Sequence, residues 1–237
     1  MLILRTYELT KQYRHETAVD SVNMTINRGD IYGLIGKNGA GKTTLMKLIS
    51  GLASPTSGKI ELFGSTNLTE QRAKIGCLIE TPALYDHMTA IQNLNMIKTI
   101  LKTTIRFDVN EVLDIVGLKD VGKKKVSKFS LGMKQRLGVA LALMGSPEFL
   151  ILDEPINGLD PLGIKELREL LLKLNKEFGL TILISSHILS ELFKLASCYG
   201  IIANGKLVAE ITQQEVENNS FNEKSMEESL LKLMEVS

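Results

Sequence analysis

Cysteine is scarce in this chain: Cys77 and Cys198 are the only two among 237 residues. Two thiols cannot build a disulfide framework, and neither stands in a metal-ligand spacing. Three scattered histidines add no metal motif. The expectation is a cytosolic chain with both thiols reduced. Charge of one sign is also missing. Lys and Arg number 28 against 27 Asp and Glu, a net charge of +1, so bulk electrostatics make no case for nucleic acid or an anionic membrane surface. Lys123-Lys124-Lys125 is a short basic run that reads as a solvated turn. Long hydrophobic runs are lacking too. Met1-Leu2-Ile3-Leu4 is too short for a secretory signal and has no basic start. Leu137 to Leu152 is largely apolar, but Ser146-Pro147-Glu148 interrupts it. It falls short of the roughly 20 apolar residues that a membrane helix needs. Internal repeats and low-complexity segments do not occur. What remains, 44% hydrophobic and 23% charged, is the composition of an ordinary globular protein of one or two domains.

The informative stretch is Gly36-Lys37-Asn38-Gly39-Ala40-Gly41-Lys42-Thr43-Thr44. It fits G-x-x-x-x-G-K-[ST], with Gly36, Gly41, Lys42 and Thr43 at the fixed positions. The glycines let successive backbone N–H groups point inward at phosphate oxygens. Lys42 can reach the β- and γ-phosphates, and the Thr43 hydroxyl can bind Mg²⁺. The context agrees. Ile31–Ile35 reads as a buried strand and Leu45–Ile49 as a helix, the order this motif requires.

Along the chain, residues 1–30 read as antiparallel hairpin material, with runs at Leu2–Leu4, Ala18-Val19 and Val22–Ile26. After the phosphate loop and a turn at Ser54–Gly58 come strands at Lys59–Phe63 and Ile75–Ile79. Residues 86–146 change character and read as helices, including Ile91–Leu101 and Val109–Val116, inserted into an α/β pattern. The pattern resumes with a buried strand at Phe149–Leu152. Asp160-Pro161 then caps a helix that Gly179 ends. A strand follows at Leu180–Ile184, and Asn204-Gly205 joins Tyr199–Ala203 to Lys206–Ala209 as a hairpin. Residues 1–212 are expected to form one α/β domain with residues 86–146 inserted in it. Residues 213–237 read as a polar extension with an amphipathic run over 226–234.

Two further segments carry chemistry. Asp153-Glu154 follows an apolar strand and so stands at the sheet edge where ligands of open α/β folds bind. Asp153 can hold Mg²⁺ opposite Thr43, and Glu154 can polarise an attacking water. Ser130 reads as the N-cap of the helix after it, a second place where free N–H groups can meet an anion.

Together these residues make the chain resemble the ATP-binding subunit of ABC transporters along nearly its whole length. Gly36–Thr44 resembles the Walker A motif and Ser130–Arg136 the ABC signature. Ile151–Pro155 is similar to Walker B, Gly158-Leu159-Asp160 to the D-loop and Ser186-His187 to the switch histidine. Tyr13 stands where the family carries an aromatic that stacks on adenine.

The resemblance implies an ABC-type P-loop fold: a mainly parallel core sheet, an N-terminal antiparallel β subdomain and the inserted helices. It implies ATP and Mg²⁺ as cofactors. Gly36, Asn38, Gly39, Ala40, Gly41, Lys42, Thr43 and Thr44 would hold phosphates, with Thr43 and Asp153 serving the metal. Glu154 would be the general base and His187 would contact the γ-phosphate. Ser130, Gly132 and Asp160 would complete the site on a second ATPase subunit, most simply a second copy of this chain. Integral membrane permease subunits would be the other partner, docked on residues 86–146 and the loop from Glu80 to Met88. Nucleic acid would not be a partner. The chain would then lie on the cytoplasmic face of the cell membrane.

Two departures from the family pattern stand out, one in the signature and one at Glu80. Leu131 replaces the first signature glycine, and Met133 the usual glutamine. Glu80 stands where glutamine is usual. It can still ligate Mg²⁺ but cannot donate when ionised, and it adds charge near Asp153 and Glu154 that favours a raised carboxylate pKa. Glu80 and the signature together resemble the branch of exporters that protect bacteria from lantibiotics and bacitracin. A soluble ABC-type ATPase without a transport role, or a regulatory ATP-binding protein with weak turnover, stays open from sequence.

Overall fold

A computed structural model of the chain describes residues 1–101 and 107–218. Its centre is a six-stranded sheet. In chain order its strands are β4 (Ile31–Ile35), β6 (Ile75–Leu78), β7 (Phe149–Leu152), β8 (Thr181–Ser186), β9 (Cys198–Ala203) and β10 (Lys206–Thr212). Their spatial order is β10-β9-β4-β8-β7-β6, parallel throughout except for β10, which pairs antiparallel with β9. Asn204 and Gly205, at φ 46° and 79°, turn that hairpin, as two-residue hairpin turns require. A second sheet holds β1 (Leu2–Tyr13) between β2 (Glu16–Val22) and β3 (Thr25–Asn27), with β5 (Ser57–Leu62) also paired to β1.

Alternation along the strands builds two cores. Tyr32, Leu34, Phe149, Ile151, Leu183 and Ile202 face the N-terminal sheet and helix α1 (Lys42–Ser50). Their neighbours Ile31, Ile35, Leu150, Leu152, Ile182 and Ile184 face the opposite core. That core is shared with α3 (Ala90–Leu101), α4 (Val109–Ile115), α5 (Leu131–Leu143), α6 (Pro161–Phe178) and α7 (Leu189–Phe193). Strands buried on both faces read as continuous apolar runs for this reason.

Helices α3, α4 and α5 fall between β6 and β7 in the chain. The capping box of Asp108 and Glu111 starts α4, and Gly117 follows it at φ 67°. Asp160 caps α6 through Gly163 N–H at 2.9 Å, with Pro161 at its first position and Gly179 left-handed at its end. A short α2 (Leu68–Arg72) has no buried residue and hence no apolar stripe to announce it. Strand β1 runs far beyond Leu2–Leu4. Its outer half is polar and half-exposed, and bulges near Leu9 and Lys11 break the alternation. Helix α8 (Gln213–Asn218) ends the described residues, so the amphipathic run over 226–234 lies outside them. No helix among the described residues is long and apolar enough to cross a membrane.

Candidate active site

The strand order assembles the site. Four neighbouring parallel strands deliver their carboxyl ends to one edge: β4 with Gly36, β8 with Ser185 to His187, β7 with Asp153 and Glu154, and β6 with Glu80. This is the edge at which open α/β sheets bind ligands.

The phosphate loop is fixed by close packing. A Cβ on Gly36 would stand 2.5 Å from Ile202 O, and one on Gly41, at φ 108°, 2.4 Å from Ala18 O. Neither position accepts a side chain, because a contact below 3 Å with backbone forces the chain to move. Helix α1 starts at Lys42 with no side-chain cap, so its first N–H groups are available to an anion. A cavity of about 340 Å³ opens over the loop, lined by Tyr13, Asn38, Gly39, Lys42, Thr43 and Glu154 among others. Tyr13 is 47% exposed at its rim, with Lys11 Nζ 4.8 Å from its ring centre. It is therefore not a core tyrosine.

Lys42, Thr43, Asp153, Glu154 and His187 form one connected group. Lys42 is buried and donates to Gly36 O at 2.7 Å and Lys37 O at 3.2 Å. Its ammonium also lies 3.2 Å from Glu154 Oε1. Thr43 Oγ1 donates to Asp153 Oδ2 at 2.7 Å. His187 Nδ1 lies 2.7 Å from Glu154 Oε2. An ionised carboxylate only accepts, so Nδ1 carries the proton there. His187 does not cap α7. The helix has no side-chain cap, and Ser186 Oγ accepts the N–H of Ile188, just before it, at 2.9 Å.

Ser185, which sequence reasoning passed over, links these groups. Its hydroxyl donates to Asp153 Oδ1 at 2.7 Å and accepts the Glu154 N–H at 2.8 Å. It is fully buried. The available signal was a pair of serines closing an otherwise apolar strand at the ligand edge.

Glu80 stands at the same edge, two residues beyond β6. Its carboxylate pairs with Lys47, one helical turn beyond Thr43 on α1. The charge expected to burden Asp153 and Glu154 is thus matched by a lysine. Ser130, Gly132 and Asp160 form a separate group. Ser130 Oγ accepts the Met133 N–H at 3.2 Å and caps α5. A Cβ on Gly132 would find its nearest neighbour, Gly163 Cα, at 3.8 Å, so nothing among the described residues requires glycine there. Leu131, 47% exposed, reaches over Gly158.

Oxygen donors from one hydroxyl and one carboxylate, 2.7 Å apart at a helix N-terminus, suit a hard divalent cation that takes its other ligands from phosphate and water. Among the described residues no cluster of three His, Cys, Asp or Glu could hold a metal without such help.

Comparison with known proteins agrees with this geometry. Residues 19–157 match the ABC transporter family. The chain is 51% identical over 212 residues to the bacitracin transport ATP-binding protein BcrA of Bacillus licheniformis, covering 88% of this chain and 69% of that one. It is 47% identical over 208 residues to the lantibiotic transport ATP-binding protein SrtF of Streptococcus pyogenes, covering 88% and 90%. Among solved structures, a nucleotide-free ATP-binding cassette from an ABC transporter superposes with a TM-score of 0.83 at 25% identity, over 96% of this chain and 98% of that one. A dimeric cassette in a post-hydrolysis state, bound to ADP and Pi, gives 0.79 at 25% identity, over 89% and 99%. The chain belongs to the ABC transporter family, as an ATP-binding subunit with the P-loop cassette fold.

Proposed function

We propose that two copies of this chain close around ATP and Mg²⁺, hydrolyse the nucleotide, and drive a membrane permease that exports antimicrobial peptides. The observation that carries the reading is the single network joining Lys42, Thr43, Asp153, Ser185, Glu154 and His187. It brings together a cation for phosphate, a hydroxyl and a carboxylate for Mg²⁺, and a second carboxylate for water.

Phosphoryl transfer asks a protein mainly for positioning and charge neutralisation. Lys42 exchanges its loop carbonyls for the β- and γ-phosphate oxygens. Thr43 and Asp153 would hold Mg²⁺, which when bound neutralises charge building on the bridging phosphates. Glu154 orients the attacking water and accepts its proton at Oε1 or Oε2. His187 holds Oε2 in place and, near the γ-phosphate, couples its presence to the Glu154 carboxylate. Tyr13 supplies a face for adenine at the cavity rim. The remaining face of the γ-phosphate is left to Ser130 and Gly132 of a partner chain, where the helix N-terminus and the open space over Gly132 admit an anion.

A groove of about 480 Å³ lies between β6, α3 and α5, with Leu52, Ile79, Pro82, Ile97 and Leu141 in its walls. An amphipathic helix of a permease subunit fits such an apolar trough. The chain would thereby sit on the cytoplasmic membrane face. Relatives named for bacitracin and lantibiotic transport support peptide export.

The test is to express the chain with its neighbouring permease genes in a peptide-sensitive bacterium. Resistance to bacitracin or a lantibiotic that disappears with Lys42→Ala is expected. Resistance that survives Lys42→Ala, or no resistance at all with permease and ATPase both present, contradicts the assignment.

A further inference from the structure

Glu80 and Glu154 leave adjacent strands at matching positions. Leu78 pairs with Leu152 in the β6–β7 register, and two residues on stand Glu80 and Glu154. Both have left-handed backbones, at φ 64° and 48°. Side chains other than glycine reach that region at a cost and are held there by their surroundings. Both residues thus stand just beyond the carboxyl ends of adjacent strands, at the ligand edge. Glu154 is taken by Lys42 and His187. Glu80 is taken by Lys47.

Lys47 lies four residues after Thr43 on α1, and so on the same helix face. Thr43 bonds Asp153, and the Asp153 charge also reaches Lys47. The Lys47 ammonium is held charged chiefly by its hydrogen bond to Glu80, which outweighs the opposing effect of burial. The charges of Glu80, Tyr13 and Asp153 add to it. The lysine therefore pairs with Glu80 and lies within electrostatic reach of Asp153, the carboxylate offered to the metal.

We propose that Lys47 is a positioning residue that holds Glu80 away from the Mg²⁺ site and so keeps Asp153 as the carboxylate serving the metal. The proposal rests on the nucleotide and metal reading above. Chemically, a carboxylate offers a hard cation a stronger ligand than an amide oxygen does. A chain with glutamate at this position has three carboxylates at one edge, and a fixed ammonium is what stops two of them from converging on one ion. The pair is partly exposed, with 62% of the Glu80 side chain open to water, so its grip is modest. An exposed pair of this kind moves an equilibrium by up to about fivefold.

The test measures the Mn²⁺ concentration giving half-maximal binding of a fluorescent, non-hydrolysable ATP analogue. Five full-length chains are compared: unaltered, Lys47→Met, Lys47→Arg, Glu80→Gln and Lys47→Met combined with Glu80→Gln. Lys47→Met is expected to lower that concentration about two- to fivefold, and to leave it unchanged when Glu80→Gln is also present. Lys47→Arg is expected to restore the unaltered value. A gain of equal size in both backgrounds would be a general loss of positive charge and overturns the proposal, as does no gain from Lys47→Met. A merely structural role for Lys47 would lower the melting temperature without moving the Mn²⁺ midpoint, and this too overturns it. Failure of the unaltered chain to form any Mn²⁺–nucleotide complex overturns the site reading itself, and the proposal with it.

Discussion

Ser185 Oγ donates a hydrogen bond to Asp153 Oδ1 at 2.7 Å and accepts one from the Glu154 N–H at 2.8 Å, so one buried hydroxyl fixes both carboxylate residues of the site. Ser185→Ala leaves a buried carboxylate oxygen and a backbone N–H without this partner. The expected loss of stability is about 1–3 kcal/mol, read from denaturant unfolding. Turnover is expected to fall at least roughly tenfold, because Asp153 and Glu154 lose their shared anchor. ATP affinity, which depends on the loop, is expected to change little. Unchanged turnover would remove Ser185 from the positioning role.

Glycines 36 and 132 separate packing from partner recognition. Gly36→Ala drives a methyl group to 2.5 Å from Ile202 O and is expected to lower both the melting temperature and ATP affinity. Gly132→Ala meets nothing closer than 3.8 Å. It is expected to leave the isolated chain as stable or up to about 1 kcal/mol more so, while weakening the ATP-dependent dimer. Calorimetry and sedimentation read the two effects separately. A Gly132→Ala chain that dimerises normally would contradict the signature assignment.

Lys42→Ala removes the ammonium that the loop keeps buried. Charge-assisted hydrogen bonds contribute about 1.5–3 kcal/mol each, so nucleotide affinity is expected to drop by about 100-fold. Equilibrium binding of a fluorescent ATP analogue checks this, and unchanged affinity contradicts the phosphate-loop reading.

Helix α7, which follows His187, is tied down by Glu191. That carboxylate is half-buried and pairs with Arg168 and Lys194. Burial raises its pKa, but Lys194 and Arg168 outweigh burial and hold it below the ordinary carboxylate value. A depressed pKa stabilises the fold above the unfolded-state value, and that stability is lost as pH falls through the folded one. Glu191→Gln is therefore expected to flatten the acid limb of the stability–pH curve and change little near neutrality beyond a uniform offset. A parallel acid limb in the variant would assign the sensitivity elsewhere.

Much of the site was legible in the sequence because its chemistry is local. Gly36 to Thr44 and Asp153-Glu154 each follow an apolar strand that ends in polar residues, a pattern visible without any fold. Asp160-Pro161 and Ser130 were readable as caps for the same reason. Contacts between distant segments were not readable. Ser185 and Lys47 act through partners more than 30 positions away, and only the order β8-β7-β6 beside α1 brings them together. The outer half of β1 escaped because bulges broke its alternation, and α2 because it buries nothing. The peptide-transport relatives share what Glu80 and the signature suggested, whereas the pairing of Glu80 with Lys47 became visible only in three dimensions.

The central claim is that each site is half a site, completed by Ser130 and Gly132 of a second copy. Its most direct test is the mass of Glu154→Gln in solution with saturating ATP and Mg²⁺, measured by analytical ultracentrifugation. Without the base, ATP stays intact and the closed pair persists. The expected result is a species of twice the monomer mass that disappears without nucleotide and fails to form when Lys42→Ala is added. A chain that binds ATP yet stays at monomer mass would contradict the account.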